Sequence, residues 1–545
     1  MPAAAQEIAR TLSASGVDLV FGLPGIHNMG LWPHLRDAGI RVLGSRHEQG
    51  TVYAADGYAR TTGRVGVALT TTGPGVANTL GAMGEAWASR SPVVLIGTDI
   101  PSDLRRPGVY RGVVHECLDQ CAMFAPVTKA TLRSTSEDDV VELAAQALEL
   151  ALTAPRGPVY LEYPADRFAA QTSAQGRAIE PLAQSTPDPA GIEALREALD
   201  AAERPLIWVG GGGRDAGPQL DALARKLGAP VVTTFQARGV LPDTHPLLVN
   251  LPPHEPAITG LIEQADLLLV VGSDLDQMMT QGWRLPLPER RIAINVDAAD
   301  ATKNYAMERV VVGDAGLVLD PLKCRLHPRA PWAGDLRALE AEVFEEIAAE
   351  PDTAEAAEYL ANLERAIPKG TIVFADMAVP GYWASAYYRV REPRSLHYPM
   401  GWGTLGFALP ASVGAAAAGR GPVVSLNGDG GALFALGELA TVVEEALPLT
   451  VVIVDDGGYG MLRYGKDVSE NAFGTELVTP DFAAIARGFG LDAVSVDGVG
   501  DAFADALAAG IASGRPNLVL AHARMTPPRT TSPRWPLRDR AMVVA

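Results

Sequence analysis

Cysteine is scarce: the 545 residues contain 3, Cys117, Cys121 and Cys324. That excludes a disulfide framework, and their spacing fits no zinc pattern, although Cys117 and Cys121 could stand one helical turn apart. Basic residues are outnumbered, 45 Lys and Arg against 64 Asp and Glu, for a net charge of −19. Such a chain is not built to bind nucleic acid or an anionic membrane surface. Long apolar runs are missing too. Nothing approaches a membrane span, and the N-terminus has no basic start followed by an apolar stretch. Tandem repeats are absent. What remains is an ordinary globular composition, 48% apolar and 20% charged. The length suits about three or four domains, and the expected compartment is the reducing cytoplasm.

Glycine, by contrast, is plentiful at 56 residues, and the chain is organised around one glycine-rich stretch. Residues 422–426 read as a short buried parallel strand. Gly428-Asp429-Gly430-Gly431 forces a tight turn with open backbone N–H groups. Residues 432–445 are helix-forming, and 449–454 is a second buried strand running into Asp455-Asp456-Gly457-Gly458-Tyr459-Gly460. Asp429 and Asp456 thus stand at the carboxyl ends of two parallel strands, where open α/β sheets place ligands. A hard divalent cation that keeps phosphate oxygens in its shell takes one or two carboxylates. The glycines, with a helix starting beyond Gly431, favour a phosphate. For Gly-Asp-Gly alone, an ordinary crossover with a turn-capping Asp is the better reading; the second acidic glycine turn favours a site. The stretch resembles the diphosphate–magnesium motif of thiamine-diphosphate enzymes, Gly-Asp-Gly and then Asn-Asn, with Asp455-Asp456 in place of the Asn pair. The resemblance implies Mg2+ on Asp429, Asp456 and Gly458, and diphosphate beside Gly428, Gly430, Gly431, Tyr459 and Gly460. The Asp456 position then carries one more negative charge than the motif's Asn.

The first third alternates strands and helices, the pattern of a doubly wound parallel sheet. A strand over 18–21 leads into Gly22-Leu-Pro-Gly25-Ile-His-Asn28 and a helix from Met29. Residues 42–50 lead into a helix from Thr51. A strand over 65–69 leads into Thr70-Thr-Thr-Gly-Pro-Gly-Val-Ala-Asn78. Glu48 alone would be a helix-start Glu paired with Arg46, a common surface arrangement. The whole run Arg46-His-Glu-Gln-Gly, Ala55-Asp-Gly-Tyr-Ala-Arg60 and Thr72-Gly-Pro-Gly-Val-Ala-Asn78 resembles the pyrimidine-binding domain of the acetolactate synthase, pyruvate oxidase and benzoylformate decarboxylase superfamily. It implies that Glu48 bonds the cofactor's aminopyrimidine N1′, with Asn78 nearby. That role needs a carboxyl sheltered from water and able to share a proton. The resemblance also puts His115 where relatives place a substrate-facing residue, and His27 where benzaldehyde lyase has its active-site His. Each histidine alone is more often structural. Ile26 falls where other members carry Asp, Ser or Gly, and an apolar residue there suits carboligation better than proton delivery.

Residues 167–190 read as a linker, and strands over 205–209, 231–234, 266–271 and 292–297 build a middle domain. Its glycine turn at 210–213 lacks dinucleotide spacing. The resemblance is to a middle domain that binds FAD in some members, and FAD is held less likely than not. Residues 326–355 read as a second linker. In the last third, Tyr398-Pro-Met-Gly-Trp-Gly-Thr-Leu-Gly-Phe-Ala-Leu-Pro410 could be simple helix packing. Its family match implies instead that Leu405 is the wedge that bends the cofactor, so that its amino group reaches C2, and that the Gly403 carbonyl accepts from that amino group. Val379-Pro380 replace a Gln-His pair that reaches the diphosphate in many relatives.

The expected fold is α/β with three doubly wound parallel-sheet domains: pyrimidine-binding (1–170), middle (188–328) and diphosphate-binding (352–530), with a tail at 531–545. The implied function is thiamine-diphosphate- and Mg2+-dependent decarboxylation of a 2-oxo acid, with carboligation to a carbonyl acceptor. A simple decarboxylase, a benzaldehyde lyase-like C–C lyase, a flavin-dependent member and a non-catalytic paralogue are the alternatives. The active site is expected at the interface of a homodimer or homotetramer.

Overall fold

The computed structural model describes residues 1–179, 186–322, 324–464 and 473–528. Three parallel sheets follow one another along the chain. The first joins β1 (Leu19–Gly22), β2 (Arg41–Gly44), β3 (Gly66–Thr70), β4 (Val93–Asp99), β5 (Ala130–Arg133) and β6 (Val159–Pro164) in the order β2-β1-β3-β4-β6-β5. The second joins β7 (Pro205–Val209), β8 (Val231–Thr233), β9 (Leu267–Val271), β10 (Arg291–Asn295) and β11 (Arg309–Val312) in the order β11-β10-β9-β7-β8. The third joins β12 (Ile372–Ala375), β13 (Leu396–His397), β14 (Val423–Gly428), β15 (Leu449–Asp455), β16 (Asp492–Asp497) and β17 (Asn517–His522) in the order β13-β12-β14-β15-β17-β16. Strands β3, β4, β6, β7, β9 and β14 are buried along their whole length. Burial on both faces is why they read as unbroken apolar runs.

In the first sheet the strand order reverses between β1 and β3, and in the third between β12 and β14. Ligands of open α/β sheets bind in the crevice at the carboxyl ends of such a strand pair. The first and third sheets are locked together by helices Glu48–Thr62 and Ala408–Ala417. A Cβ at Gly57 would stand 2.0 Å from the Ala411 carbonyl oxygen, and one at Gly414 1.8 Å from that of Ala54. Only glycine lets the two backbones meet there, and one apolar core spans both domains, with Tyr53 and Ala54 on one side and Phe407 and Ala411 on the other.

Several element boundaries differ from expectation. The helix expected from Met29 begins at Trp32, because 25–31 form a turn held by Asn28. The helix expected from Thr51 begins at Glu48, where the His47 ring accepts from the Gln49 N–H at 3.1 Å. Cys117 lies outside the helix Gln120–Phe124, so the two cysteines do not share a helical turn. The stretch 326–355 is no mere linker: Leu336–Ala349 is a helix, as its Ala- and Glu-rich composition favours. The helix expected over 432–445 is split into Asp429–Ala432 and Glu438–Glu444. Among the described residues no helix is long and apolar enough to cross a membrane. The tail expected at 531–545, and the end of the third domain at 529–530, lie outside the described residues.

Candidate active site

In the first sheet the loop after β3 is the hub. Glu48, in the first turn of its helix, accepts from the Asn78 side-chain amide at 3.0 Å. Arg46 does not pair with it. That guanidinium goes to Glu444 and to the Gly44 carbonyl, which leaves the Glu48 carboxylate to the loop. Gly75 of the same loop lies beside Glu48, Gly25 lies against Thr71, and Gly73 lies against the His115 backbone. The Gly73 N–H donates to Gln120 Oε1 at 2.6 Å, and the Gln120 amide donates in turn to Glu162 at 2.8 Å. This buried pair fixes the loop from below.

The rings of His27 and His115 meet edge-on, with centroids 5.5 Å apart. His27 follows β1 and His115 follows β4, and the loop after β3 touches both segments, with Thr71 against Gly25 and Gly73 against the His115 backbone. His115 adopts a φ of +69°, a left-handed conformation that costs a non-glycine residue energy and that functional sites often hold. Burial, and then the neighbouring His115, hold His27 below the ordinary imidazole value of 6.5, while Asp99 pulls the other way. Its Nδ1 is buried without a hydrogen-bond partner. Ile26 stands 81% exposed beside it. Glu48, Asn78, His27, His115 and Ile26 therefore gather around the carboxyl ends of β1 to β4.

The third sheet carries the acidic half. Asp429 ends the β14 crossing and Asp456 follows β15. The Asp429 carboxylate accepts from the Gly430 N–H at 2.8 Å and from the Gly458 N–H at 2.7 Å. Burial, and then the adjacent Asp456, push Asp429 up to about 7, and burial also raises Asp456 while Arg463 opposes it. Two sheltered carboxylates side by side are a fitting donor pair for a hard divalent cation. Among the described residues no group of three or more His, Cys, Asp or Glu is placed to hold a metal. A cation here would rest on the two carboxylates, the Gly458 backbone and oxygens of its anionic partner. Two of the turns admit only glycine: a Cβ at Gly431 would stand 2.6 Å from Asp376 Oδ2, and one at Gly460 2.1 Å from Asp456 Oδ2. The helix dipole expected beyond Gly431 is not available, since Asp429–Ala432 spans only 4 residues. Of the turn N–H groups at Gly430, Gly431, Tyr459 and Gly460, those of Gly430 and Tyr459 are already given to Asp429 Oδ1 and the Thr475 carbonyl, which leaves Gly431 and Gly460 as the candidates for an anion.

Leu405 is half-buried while the following Phe407 and Ala408 are fully buried. An aliphatic side chain is thus held out of the core between Gly403 and Gly406, both at positive φ. What holds this loop was not read from the sequence. Asp376, buried at the end of β12, accepts from the Gly406 N–H at 2.9 Å and the Phe407 N–H at 3.4 Å, and it borders Gly431. Burial pushes its carboxyl up to about 6. A signal was present, since an Asp directly after a buried strand is the same sign that marked Asp429. Asp376→Ala should leave these amides unpaired and loosen both turns. Titration by tryptophan fluorescence should show cofactor binding weakened at least about tenfold, the 1.4 kcal/mol of one lost hydrogen bond.

Two glycine-and-acid half sites, each at the switch point of a parallel sheet, define a phosphate-cofactor enzyme of the α/β class. The sequence models of the thiamine pyrophosphate enzyme N-terminal TPP binding domain, central domain and C-terminal TPP binding domain match residues 3–123, 192–322 and 376–521. A probable 2-ketoarginine decarboxylase of Pseudomonas aeruginosa is 35% identical over 500 residues, 89% of this chain and 88% of that protein. The acetolactate synthase large subunit of Corynebacterium glutamicum is 29% identical over 520 residues, 90% of this chain and 82% of that protein. The solved Rhodococcus jostii RHA1 thiamine diphosphate-dependent 4-hydroxybenzoylformate decarboxylase superposes with a TM-score of 0.84 at 25% identity, covering 96% of this chain and 100% of that one. The chain belongs to the thiamine pyrophosphate enzyme family. It is a thiamine-diphosphate-dependent enzyme of the decarboxylase and acetolactate synthase type.

Proposed function

We propose that this enzyme decarboxylates a 2-oxo acid and that His27 and His115 manage the proton that replaces CO2. The observation that carries this reading is the edge-on imidazole pair, with the His115 backbone against Gly73 of the loop that also holds Glu48 through Asn78. When bound, thiamine diphosphate supplies the nucleophilic carbon that adds to the 2-oxo carbonyl, and the electron sink for the pair released with CO2. Glu48, oriented by Asn78, would be the residue to share a proton with the pyrimidine, and Leu405 and the Gly403 carbonyl would be the groups to hold the ring. Asp429, Asp456 and Gly458 would hold Mg2+ against the diphosphate. A second reading, carboligation, is favoured by Ile26, whose exposed apolar side chain would shelter the intermediate from protons until a carbonyl acceptor arrives.

Among the described residues no hydrogen bond joins Glu48 or Asn78 to Asp429 or Asp456; their partners are Asn78 and Glu48 themselves, glycine amides, Asp455 and Arg463. Exposed apolar side chains flank both halves: Ile26, Val114 and Leu118 on one, Trp402 and Phe434 on the other. Exposed apolar patches of this kind mark interfaces. The reading is that two copies pair so that the Glu48 half of one faces the Asp429 half of the other, in a dimer or a dimer of dimers; light scattering with cofactor present tests it. Flavin is no part of this reading. The 210–213 turn packs against Gly272 and Ser273, and a visible absorbance band in the purified protein would reopen the question.

The deciding experiment incubates the protein with thiamine diphosphate and Mg2+ and offers 2-ketoarginine, 4-hydroxybenzoylformate and short aliphatic 2-oxo acids. Release of CO2 with aldehyde supports the first reading, hydroxyketone products the second, and no turnover of any 2-oxo acid refutes both. A pH profile separates the histidines. With His27 held below 6.5 by burial and by His115, and needed in its protonated form to deliver the proton, the basic limb of kcat should lie below that value. Removing the neighbouring positive form in His115→Gln lets His27 hold its proton to higher pH. The limb should then move upward; an unmoved limb would take His27 out of the proton path.

A further inference from the structure

We infer that Arg463 is the built-in counter-charge of Asp456, and that it lets a site with two aspartates accept a cation and a diphosphate together. The inference rests on the cofactor reading above and concerns the chain's own departure at Asp456. Asp429 and Asp456 bring two negative charges to one buried spot, and a diphosphate adds more. A cation alone would gain from the second carboxylate, whereas the diphosphate would be repelled by it.

Arg463 meets this need by geometry. Its Nη1 donates to Asp456 Oδ1 at 3.0 Å, and its side chain is only 8% exposed. The other Asp456 oxygen, Oδ2, occupies the space that a Gly460 side chain would fill. One oxygen is therefore committed to the guanidinium, while the other lies on the Gly460 side. The guanidinium is not free to swing. Its Nε and Nη2 donate to the two oxygens of Glu476 at 2.7 and 3.1 Å, and Glu476 also pairs with Arg524 at 3.3 Å. Backbone bonds clamp the two segments: Tyr459 N–H to Thr475 O and Leu477 N–H to Gly457 O, both at 2.8 Å. A planar fork between two carboxylates is the arrangement that arginine, rather than lysine, satisfies. Arg463 is thus a positioning residue, acting on the cation and the diphosphate through Asp456.

The test compares wild type, Arg463→Met, Asp456→Asn and the double variant, using ligand binding instead of turnover. Mn2+ alone is followed by its paramagnetic resonance signal, and thiamine diphosphate at saturating Mg2+ by protein fluorescence. In Arg463→Met the uncovered charge should make Mn2+ alone bind several-fold tighter and thiamine diphosphate about tenfold weaker. In the double variant both values should return to within about threefold of wild type, because the charge to be covered has gone. Asp456→Asn alone should bind both ligands, with the freed Arg463 favouring the diphosphate. The opposite signs matter: a merely loosened loop weakens both ligands together and is not rescued by Asp456→Asn, and that result overturns the inference. So does Arg463→Met binding both ligands as wild type does. Wild-type protein that binds neither ligand refutes the cofactor reading itself, a different and recognisable failure. Melting temperatures show that the variants compared are folded.

Discussion

Glu48→Gln is expected to lower 2-oxo acid turnover by about 10²- to 10⁴-fold, the range for losing one proton-transferring group, while thiamine diphosphate still binds. The substitution is close to isosteric. Gln keeps an oxygen to accept from Asn78, which now donates to Glu48 at 3.0 Å, so the loop after β3 should stand. What Gln cannot do is share a proton with the pyrimidine. The change should also be mild for folding, since Glu48 is only half-buried at the start of its helix. Losing a negative charge there costs about 0.3–1 kcal/mol through the helix dipole. Binding is read by fluorescence titration and chemistry by CO2 release. Near-normal CO2 release from a saturated Glu48→Gln enzyme would remove Glu48 from the chemistry. Lost cofactor binding with intact folding would make Glu48 a binding residue only.

The parts legible in the sequence were those set by local pattern. The strand at Pro205–Val209 was read to the residue because a short apolar run lies between a proline and a glycine turn. Asp429, Asp456 and Glu48 were legible as acids at strand ends. Helix starts were read less well, since a cap is a side-chain bond and not a composition: His47 capping at Gln49 moved one helix start from Thr51 to Glu48. The helix Leu336–Ala349 hid in a stretch read by its prolines, although Ala and Glu are strong helix formers. Least legible were partnerships across the sheets. Asp376 gripping Gly406, Gln120 gripping Gly73 and His27 meeting His115 depend on which strand ends the topology brings near one another, and no local pattern encodes that. For the histidines the resemblance gave separate hints, and the geometry alone made them a pair.

The second large effect concerns the buried charges beneath the site. Arg60 donates to both oxygens of Asp56, at 2.8 and 2.7 Å, and to Glu85 at 3.0 Å. Its side chain is 3% exposed, and those of Asp56 and Glu85 are 0%. The group also reaches the wedge loop: Arg60 Nη1 donates to the Tyr398 carbonyl at 3.3 Å, and the Trp402 N–H donates to Glu85 at 2.9 Å. The Phe407 ring lies 4.8 Å from the guanidinium carbon. Arg60→Met keeps the length and the apolar contact but strands two carboxylates in the core. Breaking a buried pair this way costs about 3–5 kcal/mol, seen as a lower denaturant midpoint, and the loop carrying Leu405 should loosen with it. The deficit should depend on pH, with a definite sign. Burial already raises Glu85, and Arg60 is the main influence holding it down. Without Arg60 the folded-state value rises further above the unfolded one, so the native state binds more protons than the unfolded chain and loses stability as pH increases. The variant should therefore lie closest to wild type near pH 5 and fall furthest behind near pH 8. An equal loss at both pH values would mean that Arg60 works by packing under Phe407, with the carboxylates satisfied by the remaining amides alone.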